Sequence, residues 1–150
     1  MDAIDRQIIA ELQNDGRVTL TELAERVRLS PSPCHRRVRL LEASGIIAGY
    51  RARLNPRAVG LDFESLVFVT MRAADHTTLS EFEKSVTEIP AVVLAQRLFG
   101  EPDYLLRVLC VDLPAFQRLY DERLAHLPGV LKLSSTLVMK IVVEDRPLPL

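Results

Sequence analysis

The chain has no tryptophan, only two cysteines and only three histidines in 150 residues, and each scarcity closes off a class of function. Cys34 and Cys110 fall in separate segments with no CxxC or other metal-ligand spacing, so both read as reduced packing residues. His35, His76 and His126 each sit in a different segment, which leaves no converging set of ligands and therefore no metal site. GxSxG, a phosphate-binding glycine loop and a nucleophile with a nearby base are all missing, so the sequence reads as no enzyme and offers no catalytic residues. No apolar run is long enough to cross a bilayer, and acidic Asp2 and Asp5 stand where the basic region of a signal peptide would be. The expectation is a cytoplasmic protein with no membrane partner.

A net charge of −1 would argue against a nucleic-acid partner if it were spread evenly, but it is not. Residues 1–60 carry ten basic and seven acidic side chains, a net of +3, while residues 61–150 carry nine and thirteen, a net of −4. Between Arg26 and Arg57 there are eight arginines and a single acid, Glu42. A near-neutral total hides a cationic part and an acidic part. At this length the chain can bury roughly two-thirds of its unfolded surface, enough for a core without staples.

The stretch at residues 30–47, SPSPCHRRVRLLEASGII, reads as an arginine-rich helix with a start, two faces and a stop. Ser30 suits an N-cap, and Pro31 and Pro33 fit a first turn whose N–H groups have no helical partner to lose. At 3.6 residues per turn Cys34, Val38 and Leu41 share one side, Ser32, Arg36 and Arg39 point the opposite way, and His35 and Arg37 lie on the flanks. Gly45 supplies the stop. Before it, Asp2 or Asp5 can cap a helix with an apolar stripe of Ile4, Ile8, Ile9 and Leu12. A second helix follows, opened by a capping box of Thr19 and Glu22 and burying Leu20, Leu23, Ala24 and Val27. Only Leu29 and Ser30 separate it from the arginine helix, a helix-turn-helix arrangement.

Such a pair predicts binding of double-stranded DNA, with Arg36 and Arg39 directed at base edges and Ser32 and His35 beside them. Arg37, nearer the packed side, braces the helix and reaches phosphate. The alternating segment after Gly45 predicts a small β-wing that carries Tyr50, Arg51 and Arg53 to the nucleic-acid backbone. The competing reading, a solvated basic face on a protein-binding bundle, would show no steep dependence of DNA affinity on salt.

The remainder alternates strands and helices. Residues 64–73 read as a strand, followed by a helix with a Thr78/Glu81 capping box and an apolar face of Leu79, Phe82, Val86 and Ile89. Residues 92–99 and 104–111 read as a hairpin around the turn residues Gly100, Glu101, Pro102 and Asp103. A helix over 113–126 turns Phe116, Leu119, Tyr120, Leu124 and Leu127 inward, and 130–143 holds the last strand, leaving 146–150 loose. The class is α+β: an N-terminal winged helix-turn-helix domain over 1–55, a linker over 56–62, and a ferredoxin-like βαββαβ domain over 63–150. Strands this apolar on both faces, as at 66–71 and 105–111, need a second copy to cover the side without helices. A homodimer would then read roughly palindromic sites.

TELAERVRLS, RVRLLEASGIIAGYRARLNPRAVG and FGEPDYLLRV, in that order, resemble the Lrp/AsnC family of transcription regulators along essentially the whole chain. Arg37, Val38, Leu41, Glu42 and Gly45 match the family's RVxxLExxG, Gly49 and Tyr50 its GY pair, and Gly100 and Asp103 its GxxD turn. Leu40 and Pro102 depart from the common pattern. The resemblance implies a nucleoid-associated regulator of amino-acid metabolism or transport, with dimers assembled into tetramers or octamers. It implies no cofactor but a small amino-acid effector beside the turn, where Gly100 admits close approach and Asp103 pairs with an ammonium group. Leu98, Phe99 and Leu106 would meet the ligand's side chain, with Tyr104, Ser135 and Thr136 also in the pocket. Asp103 read by itself is a turn former that bonds its own backbone. The alternative is a DNA-organising regulator of the same family with no amino-acid effector.

Overall fold

The computed structural model describes residues 1–150 in two units, Met1–Arg53 together with Val142–Leu150, and Leu54–Ile141. In the first unit, α1 (Ala3–Asn14), α2 (Leu20–Arg26) and α3 (Pro31–Ala43) each start where the sequence signals a start. Asp2 and Asp5 form a reciprocal capping box on α1, and Thr19 and Glu22 form one on α2. Ser30 has the extended backbone of an N-cap, but its hydroxyl makes no capping bond, and the prolines of the first turn carry the start of α3. Ile8, Ile9, Leu23, Ala24, Val27, Cys34, Val38 and Leu41 form one buried cluster. Leu20, predicted to join it, is 40% exposed.

The turn between α2 and α3 has no glycine. Arg28 itself adopts a left-handed backbone (φ 57°). The Leu29 N–H donates to the Ala24 carbonyl at 2.8 Å, and the Arg28 N–H to the Glu25 carbonyl at 3.1 Å. These are the two bonds of a Schellman ending, which satisfies carbonyls the helix leaves open.

Two expectations for this unit are corrected. Residues 46–55 form no strand, because an alternating pattern cannot supply the second strand that a ladder needs. The Tyr50 hydroxyl instead donates to Glu42 Oε1 of α3 at 3.2 Å. The C-terminal segment, predicted loose and part of the second domain, belongs with the first unit: Gln13 Oε1 accepts from the Leu148 N–H at 2.6 Å, and Gln13 Nε2 donates to the Leu148 carbonyl at 3.4 Å.

The second unit runs β1 (Phe63–Met71), α4 (His76–Thr87), β2 (Val92–Arg97), β3 (Tyr104–Cys110), α5 (Leu113–Glu122) and β4 (Val130–Leu137). The sheet order is β2-β3-β1-β4 with every pair antiparallel, the ferredoxin-like βαββαβ topology. The helix predicted over 113–126 ends at Glu122 and continues as a 3-10 turn, Leu124–His126. Asp75, not Thr78, caps α4; its carboxylate accepts from the Thr78 N–H at 3.0 Å and from the Thr78 hydroxyl at 2.6 Å. The Thr78/Glu81 box therefore does not form, because the helix begins earlier than the box requires.

Period-2 alternation sorts the strands into two faces. Val67, Val69 and Met71 of β1 and Tyr104, Leu106, Val108 and Cys110 of β3 pack with Leu79, Phe82, Val86 and Ile89 before β2 and with Phe116, Leu124 and Leu127 after β3. On the other face Leu66, Phe68 and Leu105 are only partly buried. Beside them Arg107 donates to both oxygens of Glu64, at 2.7 and 3.1 Å.

Gly129 enters β4 with φ 70°, and a Cβ there would run into Thr78 Cγ2 and press on Met71 Cε at 3.0 Å. Gly129→Ala should destabilise by about 2–4 kcal/mol, combining the left-handed penalty with overpacking. Gly60→Ala, at φ 82° in open space, should lose only about 1 kcal/mol. Denaturant unfolding of both variants checks the difference.

Candidate nucleic-acid interface and ligand-binding turn

Burial of Cys34, Val38 and Leu41 fixes the roll of α3, so Ser32, His35, Arg36 and Arg39 are exposed. Burial also raises the pKa of the Cys34 thiol, which keeps it protonated as a packing group. Arg36 makes no ion pair, and Arg39 Nε donates to His35 Nε2 at 3.3 Å, one helical turn away.

Arg37 has a different task. Its Nη1 lies 2.8 Å from Asp2 Oδ2 and 2.7 Å from Asp5 Oδ1, lashing α3 to the capped start of α1. The Asp5 N–H and then the Arg37 guanidinium hold the Asp2 carboxyl below the usual carboxylate range. Arg37 thus braces α3, as its place nearer the packed side suggests. Arg26 similarly ties α2 to Glu11 of α1 at 3.0 Å.

The wing arginines differ from each other. Arg51 is exposed and forms no ion pair, whereas Arg53 Nη2 lies 3.1 Å from Glu144 and its Nε 3.4 Å from Asp145. Arg53, expected at the nucleic-acid backbone, is held in this structure by the chain's own acids.

In the second unit the hairpin turn is tied down by Asp103. Its carbonyl accepts from the Leu98 N–H at 2.7 Å, its N–H donates to the Val69 carbonyl at 2.9 Å, and its Oδ2 accepts from the Met71 N–H at 2.7 Å. One carboxylate oxygen braces the turn, and the other has no hydrogen-bond partner. Leu98 and Phe99 are exposed, and Gly100 (φ 127°) has open space where a side chain would stand.

Other predicted pocket residues lie elsewhere. Tyr104 is buried on the helix side of the sheet with its hydroxyl donating to Glu83 Oε1 at 2.7 Å, and Leu106 is fully buried beneath the helices. Neither faces a ligand at the turn, because odd and even positions of β3 take opposite faces. Ser135 pairs with Val67 and Thr136 with Leu66, so these two neighbours also face opposite sides of the sheet. They lie two strands from β3, roughly 10 Å across the ladder. The chain alone does not gather them with residues 98–103. Glu83, which holds Tyr104, has no sequence signal, because a helical surface acid does not announce a partner on a distant strand.

A helix-turn-helix whose Arg36 and Arg39 are exposed, joined in one chain to a ferredoxin-like unit, defines a DNA-binding regulator with a separate sensing domain. Residues 1–48 match the winged helix-turn-helix DNA-binding domain, and residues 65–148 the Lrp/AsnC ligand binding domain. The chain belongs to the Lrp/AsnC family of transcriptional regulators, which are not enzymes. It is 40% identical over 150 residues to the leucine-responsive regulatory protein of Escherichia coli (strain K12), covering 99% of this chain and 90% of that one. A Neisseria meningitidis transcriptional regulator solved as an L-Met complex superposes with a TM-score of 0.94 at 38% identity, covering 99% of this chain and 96% of that one. An AsnC family regulator from Agrobacterium tumefaciens gives 0.92 at 33% identity, with 99% and 97% covered.

Burial and then the hydrogen bond to Glu83 push the Tyr104 phenol from 10.0 up to about 12. A phenol whose pKa is raised on folding contributes stability below its unfolded value, and that contribution is lost as pH rises from about 10 to about 12. Spectroscopic titration of the three tyrosines should show the last phenolate appearing near pH 12 and disappearing in Tyr104→Phe.

Proposed function

We propose that the protein is a sequence-specific regulator of amino-acid metabolism or transport genes, working as a homodimer assembled further into tetramers or octamers and responding to a small amino acid. The observation that carries the DNA half is the division of α3: one face is locked in the core, while Ser32, His35, Arg36 and Arg39 are exposed. Arg36 and Arg39 grip base edges, and Arg51 holds phosphate. A second copy covers Leu66, Phe68 and Leu105 on the sheet, giving two reading helices and a roughly palindromic site.

The effector half is supported by the leucine-responsive relatives and by the L-Met complex of the Neisseria regulator. Gly100 leaves room for the ligand's backbone groups, and the unbonded oxygen of Asp103 takes its ammonium. Ser135 and Thr136 reach such a ligand only from a neighbouring subunit. A regulator that organises DNA without an effector is the second reading. It is favoured by one observation: the turn is already closed by bonds within the chain.

Binding-site selection from a randomised duplex pool, followed by affinity measurements, tests the interface. Arg36→Ala should relax discrimination by roughly 1–3 kcal/mol at its base pair. Arg51→Ala should weaken all sequences alike and flatten the salt slope by about 1. Identical behaviour of the two variants would refute the assignment.

Thermal-shift screening of the twenty amino acids tests the effector, since saturation at about 100-fold over Kd stabilises by about 2.7 kcal/mol. Asp103→Asn keeps an oxygen for the Met71 N–H yet removes the charge, so it should abolish the shift. Absence of any shift at millimolar ligand would select the second reading.

A further inference from the structure

We propose that the C-terminal segment Val142–Leu150 is an acidic competitor for DNA, anchored on the first unit so that its carboxylates occupy Arg53 until phosphate displaces them. The proposal rests on Arg53 being a phosphate contact, as the arginines following α3 suggest. Three observations build it. Glu144 and Asp145, adjacent in sequence, both reach one guanidinium, at 3.1 and 3.4 Å. Asp145 takes a left-handed backbone (φ 47°), a conformation that Asp adopts more readily than most residues, and the chain bends there. Further along, both amide atoms of Gln13 on α1 grip the main chain of Leu148, at 2.6 and 3.4 Å.

The ion pairs and the amide clamp are independent anchors on either side of Pro147. Pro147 and Pro149 limit the freedom of the undocked segment, which lowers the entropy lost on docking. A carboxylate offers a guanidinium the same bidentate oxygens as a phosphate, so the two ligands compete for one site. Exposed ion pairs are weak, and Arg53 is 61% exposed, so the segment tunes affinity without blocking the interface. The charges at stake are those of Glu144 and Asp145.

The probe is a random-sequence duplex, because phosphate contact does not depend on sequence. Its affinity is followed by fluorescence anisotropy between about 50 and about 200 mM salt. Glu144→Gln/Asp145→Asn should bind about three- to tenfold more tightly at the low end. Its salt slope should steepen by about 1, because displaced carboxylates no longer gather cations and offset counterion release. Gln13→Ala, which loosens the segment without changing charge, should shift affinity the same way by less. Adding Arg53→Ala to the neutralised segment should erase the gain. Unchanged or weaker binding by the neutralised variant overturns the proposal, and so does a gain that survives Arg53→Ala, which would mean general repulsion. If neutralisation gives no gain and Arg53→Ala has no effect with either segment, Arg53 is not a phosphate contact and the underlying reading fails with the proposal.

Discussion

The inner face of α3 decides what its outer face can do. Cys34, Val38 and Leu41 are buried with Ile8 and Leu23, and rolling the helix by one residue would drag an arginine into that cluster. Burying an unpaired guanidinium costs far more than any surface contact returns, so the roll is fixed. The exposure of Ser32, Arg36 and Arg39 is a consequence of this packing. So is the need for a tight turn before the helix, which the chain makes with left-handed Arg28 in place of glycine.

Acids then divide the arginines into kinds. Arg37 and Arg26 are bound to Asp2, Asp5 and Glu11, and so join α3 and α2 to α1. Each such pair is weak in water, but together they orient elements that apolar burial alone would leave free to slide. Arg36 and Arg51 have no acid within reach and keep their charge for a partner. Arg53 lies between these cases, since its acids come from the far end of the chain.

In the ferredoxin-like unit the two-residue period of β3 separates neighbours that look equivalent in sequence. Asp103 ends the hairpin with its carboxylate on the Met71 N–H of β1, and Tyr104, one residue later, is turned beneath α4 onto Glu83. The turn is held to β1 by the Asp103 N–H on the Val69 carbonyl and by the Asp103 carboxylate on the Met71 N–H. The same alternation leaves Leu66, Phe68 and Leu105 on the face without helices, as the run of apolar residues in β1 and β3 had suggested.

Sequence by itself determined the element order, the three buried positions of α3, the capping boxes of α1 and α2, and the hairpin around Gly100. All of these follow from local periodicity, caps and turn chemistry, which act within a few residues. It also supplied motifs specific enough to indicate the family. The tertiary structure decided which cation stays open; it gave the Arg37 brace its partners, Asp2 and Asp5, and paired Arg53 with acids about ninety residues away. It also buried Tyr104, left residues 46–55 without a ladder and returned the C-terminal segment to α1. These outcomes rest on contacts between distant segments. A long side chain can satisfy its charge or hydrogen bond with any of several partners, and only the packed chain determines which one comes within reach.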